Sequence, residues 1–190
     1  LTVSAHKYGG PIGIGALLLQ RQFKLTPVLH GGGQERDIRS GTIPMPLIAG
    51  MAAAFAEASD ELAAKTSEVA RLRDALIAGV QAIDNSAVLR GHTTHRLPGN
   101  AHFTFPGCDG DALFMLFDSA GIQVSTGSAC TAGIPQPSHV LLAMGLDADT
   151  ARGALRFALG RTTTQADVDA VLAALPSVLE RARKAGLIAR

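Results

Sequence analysis

The stretch LTVSAHKYGGPIGIGALLL, residues 1–19, decides the fold of this chain. A short strand leads into Lys7, a glycine-rich turn follows, and the apolar run Ile14–Leu19 is typical of a second, buried strand. Glycines let a backbone approach a bulky ligand closely, and a lysine can form a Schiff base with a carbonyl cofactor when its proton affinity is lowered. The stretch therefore predicts a reactive lysine at a junction between strand and turn.

Beyond this stretch, the pattern predicts helices and strands in alternation. Apolar residues recur at helical spacing from Leu47 to Phe55 and again from Leu62 to Val80. The alternation indicates an α/β fold. The remaining predicted elements are strands at 87–90, 100–105, 122–125 and 154–159, and helices at 111–120, 138–144 and 168–179.

Composition narrows the classes of partner. The chain is 47% hydrophobic, enough for a packed core, and its formal net charge of +1 favours neither nucleic acid nor an anionic membrane. No apolar run approaches the roughly 18 residues of a membrane helix. Two cysteines are too few for a disulfide framework, which favours a cytoplasmic location. Because Leu1 already lies in a predicted strand, we expect the chain to be part of a longer polypeptide.

The two cysteines have different surroundings. Cys130 lies among small residues, STGSACTAG at 125–133, whereas Cys108 lies close to Phe105. A reactive cysteine needs access and a stabilised thiolate, while a structural one packs among large apolar side chains. Cys130 is therefore the better candidate nucleophile, although the same pattern taken alone is also compatible with an inert loop cysteine.

Two further segments carry groups suited to anions. Arg156 lies inside the apolar strand LRFALGR, where alternation places it on one face with Ala158 and Gly160. A buried guanidinium needs a partner, and the strand leaves open whether this is a substrate carboxylate or an internal Asp or Glu. The segment RSGT at 39–42 leads into a helix, so its hydroxyls either bind a phosphate or cap that helix.

Taken in order, these motifs resemble those of the cysteine desulfurases. The resemblance extends from Leu1 to the terminal helix and is nearest to the iron–sulfur-cluster and nitrogen-fixation type, within the class V aminotransferase superfamily. The motifs that carry it are SAHK at 4–7, GPIGIG at 10–15, HGGGQER at 30–36, RSGT at 39–42, SAC at 128–130 and LRF at 155–157.

The resemblance implies the C-terminal part of an aspartate-aminotransferase-like type I fold that binds pyridoxal 5'-phosphate. Residues 1–62 would be the remainder of the large cofactor-binding domain and the start of the interdomain helices. Residues 63–190 would be the small α/β domain that carries the cysteine loop. The family's N-terminal part, with its ring-stacking histidine and the aspartate that pairs with the ring nitrogen, has no match here, so we expect the chain alone to be an incomplete enzyme.

The same resemblance implies roles around the cofactor. Lys7 would hold pyridoxal phosphate covalently, and Ser4 and His6 would contact its phosphate. Thr42 would reach the phosphate bound in the partner subunit, which implies a homodimer.

For the reaction, the resemblance implies desulfuration of L-cysteine to L-alanine. Arg156 would clamp the substrate carboxylate, and Cys130 would take the sulfur as a persulfide. The persulfide would pass to an iron–sulfur scaffold or another sulfur-acceptor protein. Cys130 would ligate an iron–sulfur cluster only transiently, so no resident metal is expected.

Two other interpretations of the sequence stay open. The first is a selenocysteine lyase or another class V relative, which would use Lys7 and Arg156 in the same way. The second, of a different class, is a non-catalytic fragment or interaction module.

Overall fold

A computed structural model of the chain describes residues 1–126 and 137–188. The chain divides into two compact units, Leu1–Ala63 and Ala64–Arg190. The assignment of the two predicted domains to cofactor binding and to a cysteine loop stays a prediction. Every helix within the described residues is too short or too polar to cross a lipid bilayer.

The first unit opens with a hairpin. Strand β1 (Thr2–Ser4) pairs antiparallel with β2 (Gly15–Leu17), and the 3-10 turn Ala5–Tyr8 follows β1. A Cβ atom at Gly15 would lie 2.6 Å from the carbonyl oxygen of Val3. The hairpin's own backbone therefore requires glycine here, independently of any ligand.

The apolar run after the glycine-rich turn forms a strand at Gly15–Leu17, as predicted, but it is exposed, so its predicted burial is wrong. Leu17, Leu18 and Leu19 are 52%, 53% and 43% exposed. Across residues 1–63, all of which the structure describes, Ala5 is the only buried residue. An exposed apolar surface of this kind is typical of a region that contacts further polypeptide.

A helix packs against the back of the hairpin turn. Helix α1 (Met45–Asp60) contacts the 3-10 turn, where the rings of Tyr8 and Phe55 meet edge to face with centroids 6.0 Å apart. The absence of a side chain at Gly50 leaves room for Pro11, whose Cγ would lie 3.1 Å from a Cβ there. Helix α1, one of the two predicted long helices, thereby supports the turn that carries Lys7.

The second unit contains a three-stranded antiparallel sheet covered on one face by helices. Its strands are β3 (Val88–Leu89), β4 (Asn100–Thr104) and β5 (Ala154–Ala158), with β4 in the centre. One cluster of buried apolar residues joins the sheet to its helices and includes Phe103, Phe117 and Phe157. The helices of the described residues that follow α1 are α2 (Leu62–Ile83), α3 (Gly110–Ser119), α4 (His139–Ala143), α5 (Ala148–Arg152) and α6 (Gln165–Ile188).

Two elements differ from their predictions. The strand predicted at 122–125 is reduced to an isolated bridge between Ser125 and Arg156. Helix α5 was not predicted, although its start carries a capping signal, since the carboxylate of Asp147 accepts hydrogen bonds from the backbone and hydroxyl of Thr150 at 2.8 and 2.7 Å. The helix was not predicted because its five residues are too few to show the apolar periodicity on which a helix prediction depends.

An ion pair ties α6 to the end of α2. Arg183 Nη2 lies 2.6 Å from Asp84 Oδ2, whose side chain is 8% exposed, and Ser86 donates to the other carboxylate oxygen. Burial alone would raise the pKa of Asp84, but the hydrogen bonds from Ser86 and Arg183 outweigh it and hold this pKa below its ordinary value.

We expect Asp84→Asn to lower the free energy of unfolding by about 1–3 kcal/mol, because the change removes a buried charge partner of Arg183. A depressed carboxyl pKa stabilises the fold above the unfolded pKa, and this contribution disappears as pH falls through the folded pKa. Urea unfolding at several pH values should therefore show the two proteins converging in acid. Glu180→Gln, which breaks the exposed pair with Lys184, is the control and should cost under about 1 kcal/mol; an equal loss in both variants would contradict the prediction.

Candidate functional site

The turn that carries Lys7 is closed by backbone hydrogen bonds, and the side chains of His6 and Lys7 are not used to build it. Ala5 holds both ends of the turn, donating its N–H to the Ile14 carbonyl at 3.1 Å and accepting from Gly10 at 2.9 Å. His6 and Lys7 are exposed. Lys7 takes part in none of the ion pairs found among the described residues.

These side chains fit a cofactor that has both an aldehyde and a phosphate. Ser4 stands at the N-cap position of the 3-10 turn, yet its side chain makes no capping hydrogen bond. A hydroxyl and an imidazole can donate to phosphate oxygens, and an amine can bond covalently to an aldehyde carbon. The predicted roles of Ser4, His6 and Lys7 are thus chemically consistent with the local geometry of the first unit.

The glycine-rich loop that leads to Thr42 is tied to itself by side chains. Ser40 donates its hydroxyl hydrogen to the carbonyl of Gly32 at 2.6 Å, and Gln34 accepts from the N–H of Gly41 at 3.0 Å. Thr42 is exposed immediately beyond these contacts.

The same loop contains an unusual backbone. Glu35, Arg36 and Asp37 have φ values of 50°, 58° and 61°, a left-handed conformation that costs about 1–2 kcal/mol per residue without glycine. Such conformations persist where the surroundings fix them, and they concentrate at functional sites. This feature was missed, because of the three residues only Asp37 is of a type that visits this conformation, and Glu35 and Arg36 give no signal for it.

The RSGT segment at 39–42 does not cap the helix that follows it. Pro44 occupies the N-cap position of α1 and no side chain caps this helix end. The hydroxyls of Ser40 and Thr42 are therefore not used as caps, which leaves phosphate binding by Thr42 as the prediction.

Arg156 lies in the middle of β5, beside the central strand β4 of the second unit's sheet, on the face opposite the core. It pairs in register with His102 of β4, and its backbone exchanges two hydrogen bonds, of 2.7 and 3.1 Å, with Ser125. Its Nη2 donates to the Ser125 hydroxyl at 3.3 Å, while its Nε is buried without a hydrogen-bond partner.

The internal salt bridge weighed for Arg156 is not observed. None of the ion pairs within residues 1–126 and 137–188 includes it, and the sequence of 127–136 contains no Asp or Glu. Arg156 consequently keeps the capacity to bind the carboxylate of a ligand.

Arg90 and Arg96, like Arg156, are close enough to His102 of β4 for their positive charges to lower its pKa. The side chain of Arg90 donates to Thr104 Oγ1 at 2.8 Å, and Arg96 donates to the carbonyls of Arg90 and Asn100 at 2.9 and 3.1 Å. A cavity of about 190 Å³ next to Arg90 is lined by Arg90, Thr104, Phe105, Pro106, Gly107, Asp149 and Thr150. This face is consequently suited to anions.

Of the two cysteines, Cys108 lies within the described residues and Cys130 does not. Cys130 lies in 127–136, outside the described residues, so its role as nucleophile stays a prediction. Cys108 is buried in the core cluster, and burial raises the pKa of its thiol. This confirms Cys108 as a structural cysteine. Nowhere in 1–126 or 137–188 do three His, Cys, Asp or Glu side chains gather as a metal site requires.

Comparison with known proteins gives consistent results. Residues 1–171 match the family model of aminotransferase class-V. The chain is 55% identical to an "IscS-like cysteine desulfurase" from Mycobacterium tuberculosis. The alignment includes all 190 residues of this chain and 48% of the relative's length. It is 43% identical to "Cysteine desulfurase IscS 1" from Archaeoglobus fulgidus, where 96% of the chain covers 48% of the relative.

A solved structure agrees with these relatives. The X-ray structure of a NifS-like protein from Rickettsia africae superposes with a TM-score of 0.84 at 31% identity, over 94% of this chain and 47% of that one. The chain thus spans about half the length of the curated relatives that it matches.

Proposed function

The chain belongs to the aminotransferase class-V family, and from this premise we propose that it forms part of a cysteine desulfurase that converts L-cysteine to L-alanine. The predicted family and α/β fold class are confirmed by the match and by the superposed structure. The observation that carries the proposal is the identity, over the full chain, with a protein of that name. Class V aminotransferases and cysteine desulfurases depend on pyridoxal phosphate, and we propose that this chain binds it too.

Residues of the first unit would hold the cofactor. Lys7 would bond to its aldehyde carbon, Ser4 and His6 would donate to its phosphate, and Thr42 would donate to the phosphate bound in a partner subunit. When bound, pyridoxal phosphate withdraws electrons from the bonds of the substrate α-carbon. The Lys7 amine, once free, would remove the proton from that carbon.

Residues of the second unit would bind the substrate and accept its sulfur. Arg156 would orient L-cysteine through its carboxylate. The Cys130 thiolate would attack the substrate sulfur, forming an S–S bond as the C–S bond breaks. The electron pair of the broken bond would pass to the carbon fragment, which would take up one proton at its β-carbon, regain one at its α-carbon and leave as L-alanine.

A homodimer and a sulfur acceptor complete the proposal. The exposed leucines at 17–19 and the absence of buried residues other than Ala5 in 1–63 support a subunit contact in this region. The persulfide on Cys130 would be delivered to an iron–sulfur scaffold or another acceptor protein.

The function is tested by measuring the alanine and sulfide that are released from L-cysteine by the complete enzyme of which this chain forms part, loaded with pyridoxal phosphate. Stoichiometric release of both supports the proposal. Release of alanine from selenocysteine alone would favour a lyase, and release from neither substrate would favour a non-catalytic module.

For Arg156→Ala we expect the KM for L-cysteine to rise by about tenfold to a hundredfold, because the carboxylate loses a charge-assisted hydrogen bond. The kcat should change less, since the contact is present both before and during the reaction. Arg152→Ala, which removes an exposed guanidinium 3.7 Å from Asp149, is the matched control. An unchanged KM in Arg156→Ala would exclude the clamp.

A further inference from the structure

The cavity beside Arg90 is built from residues that have no role in the proposed reaction. Its volume is about 190 Å³, and the described residues that line it do not include Arg156. Pockets for drug-sized ligands measure roughly 300–1,000 Å³. This cavity is therefore of a size for a smaller molecule.

Arg90 has two unused nitrogen atoms at this cavity. Its backbone N–H donates to the carbonyl of His102 at 2.7 Å, which fixes its place beside β4. Its Nε donates to the hydroxyl of Thr104 at 2.8 Å, and Thr104 is only 2% exposed. Among the described residues, Arg90 Nη1 and Nη2 make no hydrogen bond and no ion pair. A guanidinium anchored in this way keeps two donors for a carboxylate.

A tight turn forms another side of the cavity. The N–H of Cys108 donates to the carbonyl of Phe105 at 3.2 Å, and Gly107 has a φ of 75°. Proline followed by glycine at the two central positions is typical of a type II turn, in which the glycine takes a positive φ. The N–H of Gly107 makes no hydrogen bond within the part of the chain that the structure describes, so it is available to a ligand.

The lining also contains a carboxylate that is weakly engaged. The side chain of Asp149 is 81% exposed, and its ion-pair partner is Arg152, at 3.7 Å. Exposed pairs of this kind contribute little to stability, so Asp149 keeps the capacity to bind a cation. A negative charge in the lining also disfavours a doubly charged ligand such as phosphate, because like charges repel.

A small molecule with both charges matches this cavity. We propose that it binds a free α-amino acid, whose carboxylate accepts from Arg90 and whose ammonium group donates to Asp149. The substrate and the product of the proposed reaction belong to this class of molecule, but the inference does not depend on that reaction. The cavity would then be a second amino-acid site, separate from the carboxylate clamp at Arg156.

The site is tested on the complete enzyme of which this chain forms part, by NMR of isotope-labelled threonine methyl groups with glycine as the probe. Thr104 and Thr150 line the cavity, so we expect both of their methyl signals to shift as glycine is added. The signal of Thr164, just before α6, should not move. Unchanged signals from Thr104 and Thr150 would overturn the inference.

Acetate, methylammonium and inorganic phosphate separate the contributions of the two charges. We expect glycine to bind at least about tenfold more tightly than each of them. Acetate lacks the ammonium group, methylammonium lacks the carboxylate, and phosphate is repelled by Asp149. Acetate or phosphate binding as tightly as glycine would show a site for anions alone and would overturn the proposed ligand class.

Two variants test the two charged contacts. Arg90→Ala and Asp149→Asn should each weaken glycine binding about tenfold or more, since each removes a charge-assisted hydrogen bond. Asp149 is exposed, so its variant remains informative if Arg90→Ala fails to fold. Arg181→Ala, which removes an exposed arginine of α6, is the control and should bind glycine as the unmodified enzyme does. Unchanged glycine binding in Asp149→Asn would contradict the ammonium contact and with it the inference.

Arg156→Ala distinguishes this cavity from the proposed substrate site. We expect the glycine-dependent shifts of Thr104 and Thr150 to persist in this variant. Their loss would show that they report binding at the substrate site, which would overturn the second site. The measurement needs no turnover, so its failure and a failure of the desulfurase function are distinguished.

Discussion

Replacing Lys7 by alanine should abolish the covalent attachment of pyridoxal phosphate and reduce alanine release from L-cysteine about a thousandfold or more. Lys7 supplies both the bond to the cofactor aldehyde and the base for the α-carbon proton in the proposed mechanism. The change should have little effect on folding, because the Lys7 side chain is exposed and exposed side chains contribute little to stability. The measurement is the visible absorbance of the loaded protein together with the rate of alanine release.

Lys24→Ala is the matched control for this prediction, since Lys24 is also exposed and lies in the first unit. It should retain both the absorbance and the activity. A Lys7→Ala protein that kept its visible absorbance and still released alanine would show that another group holds the cofactor.

Replacing Cys130 by alanine should remove sulfide release from L-cysteine while leaving cofactor attachment intact. The thiolate of Cys130 is the proposed acceptor of the substrate sulfur, and no hydroxyl or apolar group can replace it as a persulfide carrier. We expect the rate of sulfide release to fall at least about a hundredfold, which is the lower end of the range for removing a residue that acts on the reacting atoms.

Cys108→Ala provides the comparison with the other cysteine of the chain. Cys108 is 9% exposed, and burial raises the pKa of its thiol. Its replacement should reduce stability and leave sulfide release in place. Sulfide release that survived in Cys130→Ala and disappeared in folded Cys108→Ala would reverse the two assignments.

Strong periodicity made most of the second unit predictable. Strand β4 alternates between core residues such as Phe103 and the polar-face residues His102 and Thr104, and the prediction for 100–105 is confirmed within one residue. The exposed leucines at 17–19 could not be predicted, because an apolar run carries no information about what covers it.

The site was predictable only in part. The motif around Lys7 identified the turn, and the apolar strand around Arg156 identified a guanidinium in need of a partner. His102 was missed, although alternation in β4 was sufficient to place it on the polar face. Its position opposite Arg156 depends on the register of two strands more than fifty residues apart, which local pattern does not determine.

The most direct test of the account is to map the sulfur after one turnover. The complete enzyme of which this chain forms part is loaded with pyridoxal phosphate and mixed with L-cysteine, its thiols are alkylated, and its peptides are analysed by mass spectrometry. We expect one extra sulfur atom on Cys130, none on Cys108, and L-alanine in equal amount. Alanine release with no sulfur on Cys130 would contradict the claim that the two cysteines have separate roles and that Cys130 receives the substrate sulfur.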